Sequence, residues 1–180
     1  AGCLESATSP VNFVSSDFSK TDECHFEEQT TINVVFDSGS TNLWIASDLC
    51  TTEPCVNEDR HRYAHSVSET FRAIPNAQNL DIEFGTGELR GTQGVDDFHV
   101  GPFTVKHQTF GMIAEEVGEA FHTIPFEGIL GLAFPSMSAN NVSPFFDNVI
   151  DQRVLKMNEF AFYFNMDEAA KVNETPRNNA

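Results

Sequence analysis

Basic residues are scarce in this sequence: 10 lysines and arginines stand against 27 aspartates and glutamates in 180 residues, a formal charge of −17. A surface of that sign repels polyphosphate, which argues against nucleic acid as a partner. Long apolar runs are missing as well. Nothing approaches the roughly 20 consecutive apolar residues of a membrane span, and no basic segment leads into an apolar one at the N-terminus. No span or signal is therefore expected within the chain, which opens at Ala1 rather than Met, as after removal of a leader or pro-segment or at an internal boundary. Internal repeats are absent, and 40% apolar content over this length suffices for one core. The acidic balance suits a protein kept soluble at low pH, where protonated carboxylates repel less.

Cysteine is sparse too, with four residues at Cys3, Cys24, Cys50 and Cys55. The last two close the short loop Cys50-Thr51-Thr52-Glu53-Pro54-Cys55, a spacing that suits a local disulfide. A zinc site would need further regularly spaced ligands, for which the nearest candidates are His61 and His65. Pairing of Cys3 with Cys24 stays open. Two sequons, Asn141-Val142-Ser143 and Asn173-Glu174-Thr175, agree with an oxidising secretory route to an acidic or extracellular compartment.

Present instead are short runs rich in Val, Ile and Phe, broken at close intervals by Gly, Pro, Asn and Asp, which predict an all-β fold. Strands are expected at 32–36, 43–46, 80–84, 94–100, 103–113, 128–132 and 160–164. The stretch 143–155 predicts an amphipathic helix: Ser143 can cap it, Pro144 fits its first turn, and Phe145, Phe146, Val149 and Ile150 share a face. Three regions follow: a divergent or disordered polar segment at 1–28, a folded lobe at 29–165, and a polar tail or linker at 166–180.

Chemistry concentrates where an apolar strand, Val34-Val35-Phe36, runs into Asp37 inside a tight Ser38-Gly39-Ser40 turn. Burial of that carboxylate would raise its pKa, while the Gly39 and Ser40 amides and the Ser40 hydroxyl would stabilise its ionised form. Competition between the two makes a tunable acid/base. From strand and turn alone, an aspartate that merely opens a β-turn is an equal reading.

The string Phe36-Asp37-Ser38-Gly39-Ser40-Thr41-Asn42-Leu43-Trp44-Ile45 resembles the first active-site motif of the pepsin-like aspartic endopeptidases. The likeness continues in order through the Cys50 to Cys55 loop, Phe84-Gly85-Thr86-Gly87, the run from Phe126-Glu127-Gly128 to Phe134-Pro135, and the helix that follows. It implies the N-terminal lobe of such an enzyme, a partly open β-barrel with a flap hairpin and one or two short helices. Asp37 would be catalytic, sharing a proton with a second aspartate to activate water, with no metal or organic cofactor. Ser38 would lock its loop to the other lobe, and Ser40 would bond the outer oxygen of Asp37. Phe84, Gly85 and Thr86 would form the flap tip over a protein or peptide substrate. By itself that string marks only a hairpin. Most members carry Tyr at the Phe84 position, bonded to the tryptophan that corresponds to Trp44; Phe84 cannot make that bond, a feature associated with some plasmepsin-like enzymes. Phe126 and Ile129 correspond to lining of the S1 pocket, with plain core packing the alternative. Gly131 matches a glycine that threads beside the catalytic loop.

Two departures stand out. Upstream of Asp37, Cys24-His25-Phe26-Glu27-Glu28-Gln29 replaces the glycine- and proline-bearing hairpin of the family, so a strand pair there is expected to be degenerate, replaced or absent. Downstream, no second Asp-Thr/Ser-Gly occurs. Activity is then expected only with a C-terminal lobe carrying the second aspartate or with a dimer partner. A catalytically inactive peptide-binding module is the alternative.

Overall fold

The branched and aromatic runs pair as strands, because such side chains pack well on a pleated surface. The computed structural model describes residues 12–14, 31–58, 60–84, 87–124 and 126–162. Among the described residues the strands are β1 (Asn12–Val14), β2 (Thr31–Asp37), β3 (Leu43–Ala46), β4 (Arg72–Ala73), β5 (Leu80–Phe84), β6 (Gly87–Val100), β7 (Phe103–Val117) and β8 (Gly128–Gly131). The α-helix α1 (Phe145–Asp151) follows. The strands run in the order β1-β2-β8-β3-β7-β6-β4, with β5 paired to β6 and a further β1–β6 pairing. Among the described residues that junction rests on the pairs Phe13↔Val100 and Val14↔His99, so there the path from β1 round to β6 closes narrowly. The fold is mainly β with a mixed sheet, in agreement with the expected pepsin-like lobe.

Period-two alternation divides the core in two. Leu43, Ile45, Met112 and Leu130 point to one side, with Ile32, Val34, Phe98, Phe110, Phe145 and Val149. Their neighbours Trp44, Ile113 and Ile129 point to the other, with Leu80, Leu89 and Phe121. Strands covered on both faces read as continuous apolar runs, which is why all of β3 and β8 is buried. Each large side chain so buried contributes about 1.5–3 kcal/mol of transfer free energy.

Several expectations are corrected. Beta strand β6 starts at Gly87 and β7 ends at Val117, because the long β6–β7 ladder carries both past the apolar stretches. The helix is shorter than 143–155. Pro144, not Ser143, is its N-cap, and no side chain caps it. At the other end Arg153 adopts φ 55°. Its amide donates to the Ile150 carbonyl and that of Val154 to the Val149 carbonyl, closing the last turn as a Schellman motif. Residues 160–162 are not a strand; Phe160 packs edge-on against Phe146, 5.0 Å between ring centroids. Positions 163 and 164 lie outside the described residues, as do Cys3, Cys24, Gly85 and Thr86. Within the polar segment 1–28, residues 12–14 form β1, antiparallel to β2. Among the described residues no helix is long and apolar enough to cross a membrane.

Candidate active site

Asp37 closes β2, in register with Gly131 of the parallel strand β8. Strand β8 lies between β2 and β3 and runs antiparallel to β3, so the chain ends of β2 and β8 leave the sheet side by side. The turn that follows is held by main-chain bonds to the segment after β8. The Leu132 amide donates to the Asp37 carbonyl at 2.8 Å and the Ala133 amide to the Ser40 carbonyl at 2.9 Å. Thr41 Oγ1 donates to the Phe134 carbonyl at 3.2 Å. The Asn42 side chain exchanges both amide bonds with Ala139, receiving from its N–H at 2.9 Å and donating to its carbonyl at 3.3 Å. A Cβ at position 131 would stand 2.3–2.6 Å from the Thr41 backbone. Only glycine permits that approach, and the sequence motif places glycine there.

The Asp37 carboxylate is half-buried, beside exposed Ser38 and Gly39. The Gly39 amide donates to Asp37 Oδ1 at 2.8 Å, as expected. The bond expected from the Ser40 hydroxyl is not made: Ser40 Oγ is buried with no hydrogen-bond partner among the described residues. Trp44, 2% exposed, faces Ile129 across β3 and β8. Ile129 is buried in that cluster and Phe126 packs partly buried at its edge, so both positions belong to one apolar layer beneath the β5–β6 hairpin. The hairpin closes on the Phe84↔Gly87 pair. Cys50 and Cys55 are joined by a disulfide, as their spacing suits.

Charged groups to which the sequence reading gave no role are also buried in the molecule. Arg60 Nη2 donates to Glu116 Oε1 at 2.9 Å and Nη1 to the Phe121 carbonyl at 3.1 Å. Burial pushes the Glu116 carboxyl above the ordinary glutamate range, with Arg60 pulling the other way. Glu127 accepts from the Asn33 amide of β2 at 2.8 Å. Asp96 is fully buried and accepts from Tyr63, Ser68, Thr70 and its neighbour's amide. Burial, then the Asp96 bond, drives the Tyr63 phenol well above its usual range. The one local signal for Glu116 and Asp96 is an acid inside an apolar strand. His65 Nδ1 lies 2.6 Å from Asp48 Oδ1 and His61 Nδ1 3.8 Å from Glu127 Oε1. Among the described residues no three side chains of ligand type gather to hold a metal ion.

Comparison with known proteins bears on this arrangement. A family described as Eukaryotic aspartyl protease matches residues 27–174. Aspartic protease 3 of Toxoplasma gondii is 50% identical over 137 residues, covering 73% of this chain and 21% of that protein. Plasmepsin IX of Plasmodium falciparum is 42% identical over 142 residues, 76% of this chain and 22% of the relative. Pepsin A of Bos taurus is 38% identical over 135 residues, 75% of this chain and 35% of the relative. The chain thus spans about a fifth to a third of the length of these relatives.

Proposed function

The chain belongs to the eukaryotic aspartyl protease family, and from that premise we propose that it supplies the first catalytic aspartate, Asp37, of an aspartic endopeptidase. Residues 29–165 would be its N-terminal lobe, with the second aspartate contributed by a further lobe or a dimer partner. The observation that carries this reading is the position of Asp37: it ends β2, which lies between β1 and β8 in the sheet, on a turn pinned by the Leu132 and Ala133 amides, with Ser38 and Gly39 open to solvent beside it. A carboxylate so fixed can hold a water while its own conformation stays constant.

Two carboxylates facing each other cannot both ionise easily, so the pair would share one proton. The ionised member takes a proton from water as its oxygen attacks the peptide carbonyl, and the protonated member polarises that carbonyl. Collapse of the tetrahedral intermediate returns a proton to the leaving amine. The Gly39 amide, which donates to Asp37 Oδ1 at 2.8 Å, holds that oxygen in a fixed orientation on the turn. The β5–β6 hairpin, with Phe84, Gly85 and Thr86 at its tip, would cover an extended peptide. Phe126, partly exposed at the edge of the apolar layer and backed by buried Ile129, would favour apolar residues at the cleaved bond. No cofactor enters this scheme. The Cys50–Cys55 disulfide supports an oxidising, secretory route.

The test is to express the chain alone and joined to its downstream lobe, confirm that both fold, and assay cleavage of apolar peptides from about pH 3 to about pH 7. Activity confined to the joined form supports the half-enzyme reading. Peptide binding without cleavage by a well-folded joined form would replace it with a non-catalytic binding module.

A further inference from the structure

The segment between β7 and β8, residues 118–127, leaves the sheet and returns to it, and it carries much of the apolar layer just described. Its middle is a 3-10 turn, Glu119–His122, with Phe121 fully buried. That ring lies against the start of β6: a Cβ at Gly87 would stand 2.4 Å from Phe121 Cε2 and 2.7 Å from the Val117 carbonyl. Gly87 is the residue paired with Phe84 where the β5–β6 hairpin turns. The position of Phe121 therefore sets where that hairpin can rest.

Two consecutive residues of another loop approach this segment, and the first of them holds it. Arg60 bridges Glu116, at the end of β7, to the Phe121 carbonyl, with side-chain exposures of 8% for Arg60 and 0% for Glu116. His61 lies 3.8 Å from Glu127, at the segment's far end. Glu127 in turn is tied to β2 and β3: its amide donates to the Asn33 carbonyl and its carbonyl accepts from the Ala46 amide. A buried ion pair is a weak source of stability, since desolvation offsets most of the attraction. Here Arg60 Nε and Glu116 Oε2 lack hydrogen-bond partners among the described residues, which raises that cost further. What the pair does provide is orientation: a planar guanidinium spans a carboxylate and a carbonyl at a fixed angle, and lysine's single ammonium does so poorly.

We propose that Arg60, anchored on Glu116, is a positioning residue that fixes the Glu119–His122 turn against the turn end of the flap hairpin, at Gly87, and so sets how tightly, and with what apolar preference, a peptide is held. The inference rests on the peptidase reading above. It places the determinant in the loop beside the Cys50–Cys55 disulfide, away from the peptide itself.

The experiment uses the full-length protein that contains this lobe, as wild type, Arg60→Met and Arg60→Lys, with Arg62→Met as a control in the same loop, where Arg62 bonds the Cys50 carbonyl. Peptides with Phe or Ala before the cleaved bond are compared. For Arg60→Met the expected result is KM raised about tenfold for the Phe peptide, a narrowed preference for Phe over Ala, and kcat changed by less than about threefold. Arg60→Lys should recover part of the loss and Arg62→Met should leave the preference unchanged. An unaltered KM and preference in Arg60→Met, or equal losses in both arginine-to-methionine variants, overturns the proposal. Should Arg60→Met fail to fold, Glu116→Gln takes its place, read by hydrogen exchange at the 119–122 and 87 amides. Faster exchange there supports the coupling and unchanged exchange overturns it. A wild type that folds but cleaves nothing counts against the peptidase reading, while the exchange data still decide whether Arg60 holds the turn.

Discussion

Asp96 shows how much a single residue can depend on partners distant in sequence. Its carboxylate accepts from the Tyr63 hydroxyl, from Ser68 Oγ at 2.7 Å and from Thr70, joining an otherwise irregular stretch to β6. Tyr63→Phe keeps the ring, which packs edge-on to Phe110 at 5.2 Å, and removes one donor from the buried Asp96 side chain. The expected cost is about 1–3 kcal/mol, seen as a lower urea midpoint with unchanged slope; an unchanged midpoint would mean that Ser68 and Thr70 suffice. At this scale the sequence was legible where chemistry is local. Asp37 and Gly39 announce their turn within three residues, and Gly131 its close approach through its motif. Ser40 was misread because the direction of its hydroxyl depends on packing, and Arg60 was overlooked because its partner Glu116 lies 56 residues away.

Among the elements, strand positions were the most readable, since alternation is a local property and the two-sided burial of β3 and β8 shows as unbroken apolar runs. Strand lengths in the β6–β7 ladder were not, because Glu88 to Arg90 pair with residues 115–117 whatever their polarity. Helix α1 was overextended for a backbone reason. Its amphipathic pattern continues through Val154 and Leu155, yet Arg153 turns left-handed at φ 55° and ends it. A left-handed conformation costs an ordinary residue about 1–2 kcal/mol, and glycine is free of most of that penalty. Arg153→Gly should therefore raise stability by about 0.5–1 kcal/mol, offset in part by the flexibility glycine adds to the unfolded chain. A thermal melt checks it, and a lowered midpoint would show that the arginine side chain stabilises the helix end by more than its backbone strain costs.

For the whole molecule, the acidic balance bears on pH. The Glu116 carboxyl is raised first by burial and is also raised by Glu127, while Arg60 and His122 oppose the shift. A carboxyl whose folded pKa exceeds its unfolded one binds its proton more tightly when folded. The stability it lends is thus fully present below the ordinary value of 4.5 and is lost as pH rises through the elevated one. Glu116→Gln should flatten that part of the stability curve, measured by denaturant titration at several pH values; a curve parallel to wild type would assign the pH dependence elsewhere. The expected lobe was recognisable from ordered motifs, whereas the narrow closure through β1 was not, because three residues in a polar segment carry no periodic signal. The central claim concerns Asp37 and is tested most directly by comparing kcat for an apolar peptide in the full-length protein and its Asp37→Asn variant, with peptide affinity measured in parallel. A general acid–base role predicts kcat lower by about 10²–10⁴-fold at nearly unchanged affinity. Equal turnover in the two proteins would contradict it.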